Sequence, residues 1–150
     1  MEDRDELLAH YEAMRADLLA AIDGLDEQAM TAPVIDGWSV VDHLAHLAFW
    51  DELRASDVER IAAGFETAWR MAPGQDDIVS GVVHECRKPL SPAQARWELD
   101  RSRARLMAAL RAATGPALEP ERYGEAGLRS VHEAQHAGWI RAWRRGSETR

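Results

Sequence analysis

Ser39-Val40-Val41-Asp42-His43-Leu44-Ala45-His46-Leu47 packs a helix start and an apolar stripe into one short stretch. Serine is a strong N-cap, and an acidic side chain three residues on can return a hydrogen bond to the cap. The stretch therefore predicts a capping box with Asp42 in its last position. Beyond the cap, His46, Phe49, Trp50 and Leu53 share one side of the helix, and Val40, Leu44 and Leu47 widen the face. The helix is expected to run to about Ala63 and to stop at Gly64.

The same period recurs on both sides. Leu7, Leu8, Tyr11, Leu18, Ile22 and Leu25 trace a first helix over about residues 3 to 23, with Gly24 and Pro33 as punctuation. A third long helix opens at Ser91, with Pro92 in the first helical position and Gln94 completing a box. Ala95, Leu99, Ser102, Leu106, Ala109 and Leu110 form its inward face, and Thr114-Gly115-Pro116 ends it. A loop rich in Gly, Pro and Glu leads to a fourth helix, expected from about Glu125 to Arg145. Residues 65 to 90 hold the breakers Pro73, Gly74 and Pro89, and Ile78, Val79, Val82 and Val83 predict a short amphipathic helix among them. The sum is an all-α four-helix bundle, a single domain over residues 1–150. Its long link between helices two and three, carrying the short extra helix, lets those two helices run parallel.

A chain of 150 residues is long enough to bury one core without staples. A net charge of −8 and a pI near 5.2 exclude the basic face that a nucleic-acid partner needs. The start, Met1-Glu2-Asp3-Arg4-Asp5, is acidic and lacks the apolar run of a signal peptide. No stretch approaches the ~20 apolar residues of a membrane span. Cys86 is alone, so no intrachain disulfide forms. These features lead to the expectation of a cytoplasmic protein with no membrane partner.

Chemistry concentrates in His132-Glu133-Ala134-Gln135-His136. Histidines four residues apart lie on one helix face, one turn apart. Their stripe continues through Trp139, Ile140 and Trp143. Imidazoles in an apolar stripe need partners, and a metal ion satisfies several at once. His46 lies in a second apolar stripe, and facing helices of a bundle can converge ligands on one point. Three protein ligands with an open position describe a catalytic rather than a structural site. His43 shares the His46 face and reads equally as the ligand in its place, as a fourth ligand, or as a surface residue beside Asp42. Asp42, Asp51 and Glu133 are the local acceptors for the ligands' second ring nitrogens. The five residues also match the zinc-peptidase pattern His-Glu-x-x-His, whose glutamate is a general base. However, no third histidine follows, and a peptide-holding sheet is missing. His10 and His84 read as solvated and Cys86 as inert. The six tryptophans read as core filling, with some of them lining a pocket.

Gly37-Trp38-Ser39 leading to His46, with His132-x-x-x-His136 followed by Ile140 and Arg141, resembles the two motifs of the DinB-like superfamily. The resemblance spans nearly the whole chain. It implies a bundle of up-down-down-up course and a divalent metal, zinc or nickel, held by His46, His132 and His136 in preference to His43. It also implies relatives that use a low-molecular-weight thiol such as mycothiol, bacillithiol or glutathione, as in maleylpyruvate isomerases and S-transferases, commonly as homodimers. On that footing the expectation is a metal-dependent transferase or isomerase acting on a small electrophilic molecule, with Arg141 and Arg144 holding cofactor carboxylates. A metal-dependent hydrolase and a non-catalytic bundle that binds a small molecule are the alternatives.

Overall fold

The computed structural model describes residues 1–87 and 90–148, apart from the side chain of Ala126. Pro89, expected to break the chain before the third long helix, lies outside them. The described residues form α1 (Arg4–Ile22), α2 (Glu27–Thr31), α3 (Val40–Ala62), α4 (Gln75–Arg87), α5 (Pro92–Ala112) and α6 (His132–Glu148). Two 3-10 segments, Gly115–Leu118 and Pro120–Ala126, join α5 to α6. The described residues contain no strand, and none of their helices is long and apolar enough to cross a membrane.

Local chemistry explains most boundaries. Asp3 caps α1, and Ser39 and Asp42 form the reciprocal box at the start of α3. Ser91 caps α5, but the Gln94 side chain reaches forward to Glu98 instead of back to the cap, so only half of the expected box forms. The helix α2, capped by Asp26, was not foreseen; five residues are too few for a periodic signal. The fourth long helix begins at His132, several residues later than expected. Pro120 lacks a backbone donor, and Gly124 and Gly127 take φ of 69° and 60°, outside the helical region.

Two core layers show how the helices run. Leu7, Tyr11 and Met14 of α1 pack with Ala55, Val58 and Ile61 late in α3 and with Leu106, Met107 and Leu110 late in α5. Leu18, Ala21 and Ile22 of α1 pack with Val40, Val41, Leu44 and Leu47 early in α3, Ala95 and Leu99 early in α5, and Ala137 and Ile140 of α6. Thus α3 and α5 start at the same end and run side by side, and the link through α4 spans the length that a parallel pair requires. The principal pairings are α3 with α5 and α1 with α6.

Between the layers lies a buried charge cluster with one member from each long helix. Arg15 of α1 bonds Glu133 Oε1 of α6 at 2.8 Å and Asp51 Oδ2 of α3 at 3.2 Å. Arg103 of α5 donates to both Asp51 oxygens, at 2.8 and 3.2 Å, and to the Tyr11 carbonyl at 2.9 Å. Arg103 Nη2 also lies 3.0 Å from Glu133 Oε2, an ion-pair contact without hydrogen-bond geometry. Burial alone would lower the Arg103 pKa, but Asp51 and Glu133 outweigh it and the net direction is upward. Two cations and two anions cancel, so the cluster buries little net charge.

Removing one member strands its partners in a dry interior. Asp51→Ala is expected to cost about 3–5 kcal/mol of stability. Arg105→Ala, which breaks the exposed pair with Glu59, is expected to cost less than about 1 kcal/mol. Urea unfolding of the two variants checks the contrast, and equal losses would contradict it.

Candidate metal centre

α3 and α6 bring three histidines to one point, with Nε2 the converging atom of each. His132 Nε2 lies 2.9 Å from His46 Nε2 and 3.0 Å from His136 Nε2. One ligand atom from each ring falls within 4.8 Å of the others. The spacing has a local cause: His132 and His136 stand one turn apart at the very start of α6, and the Ser130 hydroxyl accepts the His132 backbone N–H. His46 sits on the inner face of α3, whose register is set by the Asp51 contacts one turn along.

The donor set fits a divalent cation. A neutral imidazole offers one N–H and one lone pair. His132 Nε2 faces two other ring nitrogens, and a single proton serves only one of them. A cation satisfies all three lone pairs at once. Tetrahedral zinc with Zn–N bonds of about 2.0–2.1 Å separates its ligand atoms by roughly 3.3 Å, within a few tenths of an ångström of the two spacings at His132.

His43 is neither a ligand of this set nor a surface residue. It is only 4% exposed, and its Nδ1 lies 2.6 Å from His136 Nδ1. If the His136 Nε2 lone pair held a cation, its Nδ1–H would donate to His43 Nδ1 and both tautomers would be set. The partner of the His136 ring is therefore another histidine. The acceptors expected from sequence are engaged elsewhere: Asp42 closes the α3 capping box, and Asp51 and Glu133 belong to the buried charge cluster. Glu133, 3% exposed between Arg15 and Arg103, is held away from the peptidase-type general-base role.

Trp38 forms the second support. Ile35 and Trp38 exchange backbone hydrogen bonds across Asp36-Gly37, whose φ values of 50° and 83° suit an aspartate-glycine turn. This turn sets the Trp38 indole against the edges of His43 and His46, at centroid distances of 5.4 and 5.3 Å. His84 of α4 stacks on its other face at 4.5 Å and lies 3.4 Å from Asp42 Oδ2, so it is packed rather than solvated. His10 likewise bonds the Ser130 carbonyl at 2.6 Å.

A cleft of about 1890 Å³ opens over the histidines. Trp38, Trp50, Trp69, Trp139 and Trp143 line it, whereas Trp97 stands outside, exposed under Arg101. No tryptophan lies in the buried core, so the core-filling expectation gives way to pocket lining. Segments 66–73 and 121–125 complete the walls. Arg141 bonds Asp17 and Arg144 bonds the Ala21 carbonyl, joining α6 to α1, and neither lines the cleft. Cys86 is exposed on α4 and also lies off it.

A helical bundle with inward-facing histidines from two helices, under an aromatic cleft, defines a class of bundle proteins able to hold a metal in the core. A family model described as the DinB superfamily matches residues 10–140, and the chain belongs to that superfamily. No curated protein and no solved structure matches it.

Burial, reinforced by the neighbouring rings, lowers the His46 pKa to about 3; His136 is shifted down for the same reasons. His43 falls to about 4, chiefly through burial. In the unfolded chain these rings titrate near 6.5. Below that pH the unfolded state binds protons that the folded state refuses, so stability falls with acidification until the folded values are reached. At pH 5 the His43 shift alone is expected to cost the metal-free protein about 2 kcal/mol relative to neutral pH. Urea midpoints at pH 7 and pH 5 should therefore diverge in wild type and less in His43→Phe; equal slopes would contradict this. Zinc titration is expected to show no binding by His136→Ala and a loss of about 10–100-fold in His43→Phe, as for other outer partners of ligands.

Proposed function

We propose that this chain is a metal-dependent enzyme of the thiol-dependent transferase or isomerase type, acting on a small electrophilic molecule. The observation that carries the reading is the convergence of three Nε2 atoms at the floor of an aromatic cleft. A divalent ion such as zinc or nickel supplies two things when bound: it acidifies a thiol or water, and it polarises a carbonyl.

The chain's own residues supply the rest. Three neutral imidazoles add no charge, so an ion held by them would keep its full positive field toward the cleft and would favour an anionic sulfur despite the acidic surface. Burial keeps these rings unprotonated at neutral pH, so they are ready as ligands. His43 orients His136, and Trp38 limits the swing of His46. The indoles of Trp50 and Trp139 flank the histidines and offer flat apolar surface to a substrate body. No protein cysteine faces the cleft among its described lining, which suits a nucleophile delivered as a soluble cofactor thiol such as mycothiol or bacillithiol.

Protein purified without a histidine tag is expected to carry close to one equivalent of zinc or nickel by elemental analysis. Turnover of electrophilic substrates is expected only with added thiol, and is expected to disappear in His132→Ala. Turnover that does not depend on thiol would replace transfer with hydrolysis. Protein that contains no metal and refuses both ions on titration would contradict the whole reading.

A further inference from the structure

We infer that Arg54 is the anchor for an anionic end of the substrate, so that the cleft takes an elongated organic acid whose other end reaches the histidine centre. The inference rests on the metal reading above.

His46, Trp50 and Arg54 follow one another at four-residue spacing, so they stack down one face of α3. All three line the cleft. Arg54 differs from Arg15 and Arg103 in its partners, and from Arg144, which also bonds only a backbone carbonyl, in lining the cleft. Arg15 and Arg103 are each held by two carboxylates. Arg54 has no carboxylate partner among the described residues; Nη1 donates to the Gly127 carbonyl at 2.7 Å and more weakly to the Leu128 carbonyl at 3.5 Å. The nearby acids on its own helix are committed, Asp51 to Arg15 and Arg103, and Asp57 to Arg60. The carbonyls therefore aim the guanidinium without neutralising it, and its remaining N–H groups are free for a planar anion. A carboxylate is the natural match, because the fork accepts it bidentately.

The spacing sets the ligand's dimensions. Eight residues of helix separate His46 from Arg54 by about 12 Å along the axis. The Trp50 ring lies between the two ends, 6.3 Å from His46 and 6.5 Å from His132 by centroid. A molecule with a metal-binding head, an apolar or planar middle and a terminal carboxylate spans that line.

The test uses zinc-loaded protein and a series of alkyl hydroxamic acids that end in a carboxylate, with two to six methylenes, each paired with its terminal primary amide. Calorimetric titration should show the acid binding about 10-fold tighter than the amide at a preferred chain length. That advantage should vanish in Arg54→Gln and survive in part in Arg54→Lys, while amide affinity holds in both. Acid and amide binding wild type equally at every length would overturn the proposal and leave the metal centre standing. Acid and amide weakening together in Arg54→Gln would reduce Arg54 to a prop for the 127–128 backbone, which also overturns it. A chain that takes up no zinc would overturn the metal reading and this inference at once.

Discussion

Arg15, Asp51, Arg103 and Glu133 tie the four long helices together at one level of the bundle. Hydrophobic packing alone is tolerant of small slides, because one apolar contact replaces another. Buried ionic contacts are not, since a shift of one turn would strand a charge in a low-dielectric interior at a cost of several kcal/mol. Asp51 stands five residues after His46 on α3, and Glu133 directly follows His132 on α6. The helices that carry the three histidines are thus locked next to the histidines themselves. The cluster holds register for the site, and the site in turn explains why so expensive an arrangement sits there.

The histidine centre is built on the opposite electrostatic principle. Its members are kept neutral by burial and by one another, and their proton positions are set by hydrogen bonding rather than charge. Neutral donors leave a cation's charge undiminished. The aromatic walls add surface and shape without adding competing ligands. Arg54, a cation of the cleft lining with no carboxylate partner among the described residues, lies further along the same helix. Charge in the bundle is therefore cancelled where it serves structure and left open where a ligand would meet it.

Much of this was legible in the sequence because periodicity and capping are local. The Ser39–Asp42 box, the apolar faces of α1, α3 and α5, and the amphipathic pattern of α4 all follow from residues within a few turns. The histidines were legible for the same reason: imidazoles in an apolar stripe break a pattern. The charge cluster was missed although its signal was present. Arg15 continues the Leu7–Tyr11 stripe, and Arg103 falls between Leu99 and Leu106 on the inner face of α5. An arginine at core spacing is ordinarily read as a solvated face, and only its partners on three other helices reveal otherwise. The role of His43 depended on the same long-range pairing, since nothing within α3 says that His136 will stand 2.6 Å away. The late start of α6 was hidden because its expected first residues sit between glycines of positive φ, whose preference a composition-based reading leaves open.

The central claim is that His46, His132 and His136 share one metal ion through their Nε2 atoms. Anomalous-difference diffraction at the zinc and nickel absorption edges, on crystals of protein purified without a histidine tag, tests it most directly. The account requires a single peak about 2.0–2.1 Å from all three Nε2 atoms, with His43 outside the coordination shell. A peak bound through His43 in place of His46, or fully loaded protein with no peak between α3 and α6, would contradict it.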